Sequence, residues 1–154
     1  MKKEPKKLSC IAKVRLVYNS DIPYEDRVHI GNSKDAYGIF KSNWDADTID
    51  LFEEFHILVL DRMNQVLGIS RVTAGGTAGT VVDAKLIFQT ALLCNATGVI
   101  LCHNHPSGNL NPSNADLKLT KKLKNGGLLL DLSVLDHLII SKEGYYSFKD
   151  RGQL

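Results

Sequence analysis

Two histidines and an aspartate within residues 102–116 have residue types and a spacing that suit metal chemistry. His103 and His105 are two positions apart, so in an extended backbone their side chains point to the same side. Asp116 follows Ser113 by three residues, inside the first turn of a predicted helix. A strand end and a helix start can therefore bring two imidazoles and one carboxylate together. Three such ligands leave one position of a tetrahedral zinc ion for water, as in catalytic zinc sites.

A zinc hydrolase also needs a carboxylate that takes a proton from the attacking water. Glu53 and Glu54 stand at the start of an apolar run and are the two candidates for this role. Neighbouring residues on a strand point to opposite faces, so only one of them can face the metal. Their position alone leaves both candidates open.

The same residues also have simpler interpretations. Asp116 can be the N3 partner of Ser113 in a capping box, which prefers Glu but tolerates Asp. The segment 104–108, Asn-His-Pro-Ser-Gly, can be no more than a turn. Cys102 lies next to the histidines, but on the other side of the strand. That position favours a small buried residue over a metal ligand.

The candidate site requires a strand that leads into the histidines and a helix that follows them. The apolar segment 99–101 predicts the strand, and Ser113 predicts the start of a helix that ends near Asn125-Gly126-Gly127. Before the strand, Asp83 predicts the cap of another helix, which runs to about Asn95 with Gly98 just past its end.

The rest of the chain mixes strands with helices. The apolar run at 55–60 predicts a strand buried on both faces. The other predicted elements are a turn at 61–64, its hairpin partner at 65–73, a glycine loop at 75–79, a strand over 128–140 and a short strand at 145–148. This mixture predicts an α/β or α+β domain of three layers and not a helical bundle.

The chain divides into an N-terminal extension, residues 1–45, and a main domain, residues 46–154. The extension is expected to contain a basic, solvated tail over 1–7, a strand over 8–18 and a short helix from Ser33 to about Lys41. Residues 45–52 are ambiguous between helix and loop.

The bulk properties exclude several classes of protein. The chain has 154 residues, 44% hydrophobic and 23% charged, which suits one globular domain. A net charge of +2 is too small to indicate nucleic-acid binding by itself. No apolar run approaches the ~20 residues that cross a bilayer. No continuous apolar segment follows the charged first residues, so no signal peptide is expected. Three cysteines without a CxxC pair favour reduced thiols. A cytoplasmic protein without membrane contact is expected.

The residues around the candidate site resemble a known pattern. His103-x-His105-Pro106, then six residues, Ser113, two residues and Asp116, matches the JAMM (MPN+) metalloprotease signature at every position. The wider context resembles the RadC-like branch, over roughly residues 50–154. The matching pieces are Glu53-Glu54-Phe55, Leu60-Asp61, Gly76-Thr77, Asn95-Ala96, the segment 103–108, Pro112-Ser113 and Leu135-Asp136-His137.

This resemblance implies a fold similar to that of cytidine deaminases, a three-layer domain in which helices flank a mixed β-sheet, with one zinc ion. It implies that His103, His105 and Asp116 are the zinc ligands and that Ser113 hydrogen-bonds the oxyanion or the bound water. It assigns the general acid and base to Glu53, because Phe55 then matches the family's aromatic residue, and Glu54 remains the alternative. For Asp136 and His137, in a piece typical of the RadC branch, a structural role is expected.

The function implied is zinc-dependent hydrolysis of a peptide or isopeptide bond in a peptide or protein substrate. One alternative is a DNA-repair or mobile-element accessory protein that associates with nucleic acid. It rests on the basic tail and on four lysines that can equally be the solvated face of a helix, Lys118, Lys121, Lys122 and Lys124. The first 45 residues do not resemble the helix-hairpin-helix segment usual in RadC-like proteins, which weakens this alternative. The other alternative, a non-catalytic MPN scaffold, conflicts with the complete ligand set. A deaminase would need His-x-Glu and Pro-Cys-x-x-Cys motifs, which are absent.

Overall fold

The structure is a computed structural model, and it describes residues 12, 15, 17–75 and 81–154. The predicted strand at 8–18, the basic tail and most of the glycine loop lie largely outside the described residues. Among the described residues, no helix is both long enough and apolar enough to cross a membrane.

A mixed sheet of five strands forms the centre of the described structure, as predicted. Its strand order is β2-β1-β3-β4-β5, and only the β3–β4 pair is parallel. In chain order the elements are a 3₁₀ turn at Tyr24–Asp26, α1 Ser33–Ser42, β1 Glu54–Leu60, β2 Val66–Ala74, α2 Ala84–Leu93, β3 Gly98–Asn104, α3 Asn114–Leu128, β4 Ser133–Ile140 and β5 Tyr145–Ser147.

Helices cover both faces of this sheet, which gives the expected three layers. On one face, Ala36 and Phe40 of α1 pack with Leu58 of β1 in one core cluster. On the other face, Ile87 of α2 and Leu123 of α3 belong to a second cluster, together with residues of β1 and β3. Every residue of β1 and β3 is buried, because these strands lie inside the sheet and have helices on both sides.

The helix α2 begins where it was predicted and ends at Leu93, close to the predicted Asn95. Asp83 caps it by accepting a hydrogen bond from the backbone N–H of Lys85 at 2.9 Å. The residue with positive φ after the helix is Asn95 (φ 53°), so the expectation that Gly98 marks the helix end was wrong. Gly98 instead opens β3, where a Cβ atom would lie 2.7 Å from Leu135 Cδ1.

The helix α3 runs past the two glycines that were predicted to end it. It includes Gly126 and Gly127 and stops at Leu128, so the next strand begins at Ser133 and not at 128. A Cβ atom at Gly127 would lie 2.3 Å from the backbone oxygen of Leu132. Glycine is therefore needed here for the close return of the chain and not for helix termination.

The helix α1 and the segment after it differ in detail from the expectation. Asn32, not Ser33, caps the helix, in a capping box with Asp35. Residues 46–51 form turns, which resolves the ambiguity of segment 45–52. These turns lead the chain back to the start of β1.

Candidate metal centre

The end of β3 and the start of α3 bring the two histidines and the aspartate together. One ligand atom from each of His103, His105 and Asp116 lies within 4.8 Å of the other two. The Nε2 atoms of the two histidines are 3.1 Å apart. Asp116 Oδ1 lies 3.3 Å from His103 Nε2, and Asp116 Oδ2 lies 3.6 Å from His105 Nε2. Bonds of about 2.0–2.1 Å in a tetrahedral zinc site separate neighbouring ligand atoms by about 3.3 Å. The three residues therefore have the separations that one such ion requires.

His105 presents a lone pair to this cluster. Its Nδ1 atom lies within hydrogen-bonding distance of the backbone oxygen of Asn109. A carbonyl oxygen can only accept a hydrogen bond, so the proton of the neutral ring is on Nδ1. The Nε2 atom is then free to ligate a metal.

The capping interpretation of Asp116 and the metal interpretation hold in the same structure. Asp116 Oδ2 accepts hydrogen bonds from the backbone N–H and from the hydroxyl of Ser113, each at 2.7 Å. The Ser113 hydroxyl in turn accepts from the Asp116 N–H at 3.2 Å, which completes a capping box. The cap uses Oδ2 and leaves Oδ1 next to His103. In this arrangement the Ser113 hydroxyl donates its proton to Asp116. The hydroxyl would have to rotate before it could donate a hydrogen bond to an oxyanion.

The cluster is strongly coupled in its charge. Burial alone would raise the pKa of Asp116, but its contacts with His103 and His105, which favour the anion when an imidazole is protonated, and the hydrogen bond from Ser113 outweigh burial and hold this pKa far below its usual range. The pKa of His105 is raised, first by its hydrogen bond with Asp116, against the opposing effect of burial. Asp116 is therefore an anion throughout the physiological range.

The two candidate bases lie on opposite faces of the sheet. Glu54 is 3% exposed, and its carboxylate binds His56 at 2.7 Å and Arg71 at 3.6 Å. The His56 ring stacks on Trp44, which belongs to the core cluster of the α1 face. Glu53 is half-buried just before β1, and its negative charge contributes to the raised pKa of His105. Glu54 is thus turned toward the α1 face, away from the histidines, and Glu53 is the remaining candidate for the histidine side.

Asn104 fastens the segment that carries Glu53 to the strand that carries the histidines. It lies between His103 and His105 and points to the opposite face. Its amide group donates to the backbone oxygens of Ile49 at 2.6 Å and Phe52 at 2.9 Å. Its oxygen accepts from the N–H of Glu54 at 2.7 Å. Cys102, on the same face as Asn104, is fully buried in the core of the α1 face, away from the histidines.

Two further residues, His137 and Thr120, lie directly behind His103. His103 Nδ1 is 2.9 Å from His137 Nε2, and His137 Nδ1 is 2.7 Å from the hydroxyl of Thr120. From the sequence only a structural role was expected for His137, and Thr120 was not among the predicted site residues. The available signal was the spacing of four residues between Asp116 and Thr120, which places both on one face of a helix.

Asp136, next to His137, has a structural place in β4. It is buried and accepts hydrogen bonds from the Ser147 hydroxyl at 2.6 Å and from the N–H of Lys149 at 3.0 Å. Burial raises its pKa, against these hydrogen bonds. The carboxylate therefore holds the β5 segment against β4.

The lysines considered for nucleic-acid binding are exposed on α3. They are Lys118, Lys121, Lys122 and Lys124. The buried residues of the same helix, Leu123 among them, face the sheet. This is the pattern of the solvated face of an amphipathic helix.

Comparison with known proteins identifies the family. The model of the RadC-like JAB domain family matches residues 30–153, which include α1 and all five strands. A UPF0758 protein of Flavobacterium johnsoniae is 54% identical over 100 residues, 65% of this chain and 44% of the relative. A UPF0758 protein of Methanosarcina acetivorans is 43% identical over 100 residues, with the same two shares. One of Thermotoga maritima is 40% identical over 98 residues, 64% of this chain and 44% of the relative.

The matched region thus spans less than half the length of these curated relatives. The family match, in contrast, covers most of this chain and contains all three residues of the cluster. The chain belongs to the RadC-like JAB domain family.

Proposed function

We propose that this chain is a zinc-dependent hydrolase of the JAMM type that cleaves a peptide or isopeptide bond. The observation that carries the proposal is the meeting of three ligand atoms, from His103, His105 and Asp116, within 4.8 Å. Two imidazoles and one carboxylate with an open fourth position are a donor set of catalytic zinc sites. The family match supports the proposal, because the residues that resemble the JAMM signature all lie within the region matched by the RadC-like JAB domain family.

The three residues would hold the ion through the two Nε2 atoms and Asp116 Oδ1. A zinc ion bound there supplies a Lewis acid, which polarises a carbonyl group and makes water nucleophilic at neutral pH. The chain itself fixes the ligands: Asn109 orients His105, and Ser113 holds the second oxygen of Asp116.

Glu53 is the residue that moves protons in this proposal. Its carboxylate takes the proton of the attacking water and delivers it to the leaving amine. Two observations support this role: Asn104 holds the backbone on both sides of Glu53, at Phe52 and Glu54, and the negative charge of Glu53 acts on His105. The hydroxyl of Ser113 donates to the oxyanion after it rotates away from Asp116.

Metal content and hydrolysis together test the proposal. We expect the purified protein to contain or take up about one zinc ion per chain, and His103→Ala and Asp116→Ala to lose it. Glu53→Gln should keep the zinc and lose hydrolysis of peptide and isopeptide-linked fluorogenic substrates. Glu54→Gln is the matched control, since it changes a neighbouring glutamate on the other face, and it should keep both properties.

Circular dichroism of every variant separates loss of the site from loss of the fold. A wild-type protein that neither contains zinc nor binds it on titration would overturn the proposal. Retention of hydrolysis by Glu53→Gln would instead remove Glu53 from its assigned role.

A further inference from the structure

A buried chain of hydrogen bonds connects two members of the metal cluster from behind. It begins at His103 Nδ1, passes through His137 and Thr120, and ends at the backbone oxygen of Asp116. His137 is 0% exposed and Thr120 is 3% exposed. These hydrogen bonds therefore lie away from water, on the side of His103 that faces the protein interior.

The last hydrogen bond, from Thr120 to Asp116, determines which group donates and which accepts in each of the other hydrogen bonds. The Thr120 hydroxyl is 2.6 Å from the Asp116 carbonyl oxygen, which can only accept, so the single hydroxyl proton lies between these two oxygens. Thr120 must then accept from His137, whose ring proton is on Nδ1. His137 Nε2 consequently carries a lone pair, and the proton between the two imidazoles belongs to His103 Nδ1.

We infer that His137 and Thr120 are positioning residues that keep the proton of His103 on Nδ1 and so present its Nε2 lone pair to the metal. This inference rests on the proposed function, because it assigns a purpose to that lone pair. Neither residue touches substrate or metal; both act through His103. Outer hydrogen-bond partners that fix the tautomer of a metal-binding histidine are a general feature of such sites.

The packing around His137 holds its ring in the orientation that this chain needs. The ring stacks on Phe148, with centroids 4.8 Å apart and planes 14° apart. The ring of Phe55 meets the His137 ring edge-on, with centroids 5.6 Å apart. The ring is 0% exposed, and neither of its hydrogen-bonding partners, His103 and Thr120, is a carboxylate that would balance a second proton. The ring is therefore neutral, and its packing prevents it from turning freely.

Thr120→Val tests the inference, because it removes the hydroxyl and keeps the shape of the side chain. Without this acceptor, the proton of His137 is expected to move to Nε2, where it donates to His103. His103 must then carry its own proton on Nε2, facing Asp116 Oδ1. Thr120→Ser is the matched control, since it keeps the hydroxyl.

The readout is the tautomer of each ring, measured by ¹⁵N–¹H correlation spectra of histidine-labelled, zinc-free protein at mildly alkaline pH. We expect His103 and His137 to be Nδ1–H in the wild type and in Thr120→Ser, and Nε2–H in Thr120→Val. Zinc titration should show affinity weakened roughly 10- to 100-fold in Thr120→Val, with Thr120→Ser close to the wild type.

His137→Phe is a second variant that keeps a ring against Phe148 and removes the acceptor. It should fold and should also bind zinc more weakly. An Nε2–H tautomer of His137 in the wild type, or unchanged tautomers in Thr120→Val, would overturn the inference. A wild type that binds no zinc would overturn the proposed function. The tautomers of the zinc-free protein would still show whether His103 donates to His137 and His137 donates to Thr120, as inferred here.

Discussion

Ser113 and Asp116 cap each other at the start of α3, and the carboxylate in this cap is also the one that approaches His103. The Ser113 N–H and hydroxyl both donate to Asp116 Oδ2, while Asp116 Oδ1 lies 3.3 Å from His103 Nε2. The Asp116 side chain thus satisfies the N–H group of the N-cap residue and also belongs to the candidate metal site. Helix stability and site geometry therefore share one residue.

Replacing Ser113 should affect both stability and zinc. Ser113→Ala is expected to lower the free energy of unfolding by about 1 kcal/mol, the usual loss for a helix N-cap. It should also weaken zinc binding, because Asp116 loses a donor that orients it. The matched control is Asn32→Ala, which removes the same kind of cap from α1. It should cost similar stability, measured by urea unfolding, and leave zinc affinity unchanged. Equal zinc affinities in the two variants would contradict the shared role.

Removing the charge of Asp116 should change the titration of His105. The hydrogen bond with Asp116 is the main cause of the raised pKa of His105. In zinc-free Asp116→Asn, this pKa should therefore fall toward the ordinary value, and NMR titration of the His105 ring measures it. The ring signals of His29, which bridges with Gln65 outside the cluster, should be unchanged by the substitution and serve as the control. A pKa of His105 that stays raised would assign the effect to another group.

The buried His56 should make the fold sensitive to acid. Burial lowers its pKa, and the hydrogen bond with Glu54 only partly opposes this. As pH falls through the ordinary histidine range near ~6.5, the unfolded chain gains a proton that the folded protein resists. The free energy of unfolding should therefore decrease as pH falls, by at most about 1.4 kcal/mol per pH unit for one proton.

His56→Gln should have a shallower pH dependence of stability between pH 8 and pH 5. Glutamine can still donate to Glu54, and the other histidines contribute equally to both proteins, so the difference between the two curves isolates His56. Urea unfolding at several pH values, with chelator present throughout, gives both curves. Parallel curves would show that His56 titrates alike in the folded and unfolded states.

Two helical glycines should respond in opposite ways to alanine. Gly127→Ala places a Cβ atom 2.3 Å from the Leu132 backbone oxygen, and the strain should cost about 1–3 kcal/mol of stability. Gly38 lies inside α1, and a Cβ atom there meets nothing within 4 Å. Gly38→Ala should therefore stabilise the protein by up to about 1 kcal/mol. Thermal unfolding measures both, and a stable Gly127→Ala protein would mean that the chain can move away from α3.

Local patterns in the sequence were sufficient for the elements that carry the ligands. The apolar runs predicted β1 and β3, and the caps at Asp83 and Ser113 predicted where α2 and α3 begin. Such signals are local, because a cap or a buried strand is defined by neighbours in the chain. Gly127 was misread because its neighbour in space, the Leu132 backbone, cannot be seen from helix-ending patterns alone.

Long-range pairings account for what the sequence left open at the site. Alternation along a strand separates Glu53 from Glu54, but it does not tell which face receives the histidines. The pairing of β1 with β3 decides it, with Phe55 opposite His103. His137 similarly comes to His103 through the parallel register of β3 and β4, which no residue in either segment encodes by itself.

The parallel pairing of β3 and β4 also sets the order in which a growing chain can build its site. A parallel pair needs a crossover, and here the crossover is α3, which carries Asp116 and Thr120. All three residues of the candidate metal site are synthesised before His137, which lies on β4. A nascent polypeptide that ends before β4 would hold these three residues without the imidazole that orients His103. Full metal affinity would then be a property that the protein acquires only when β4 has docked against β3.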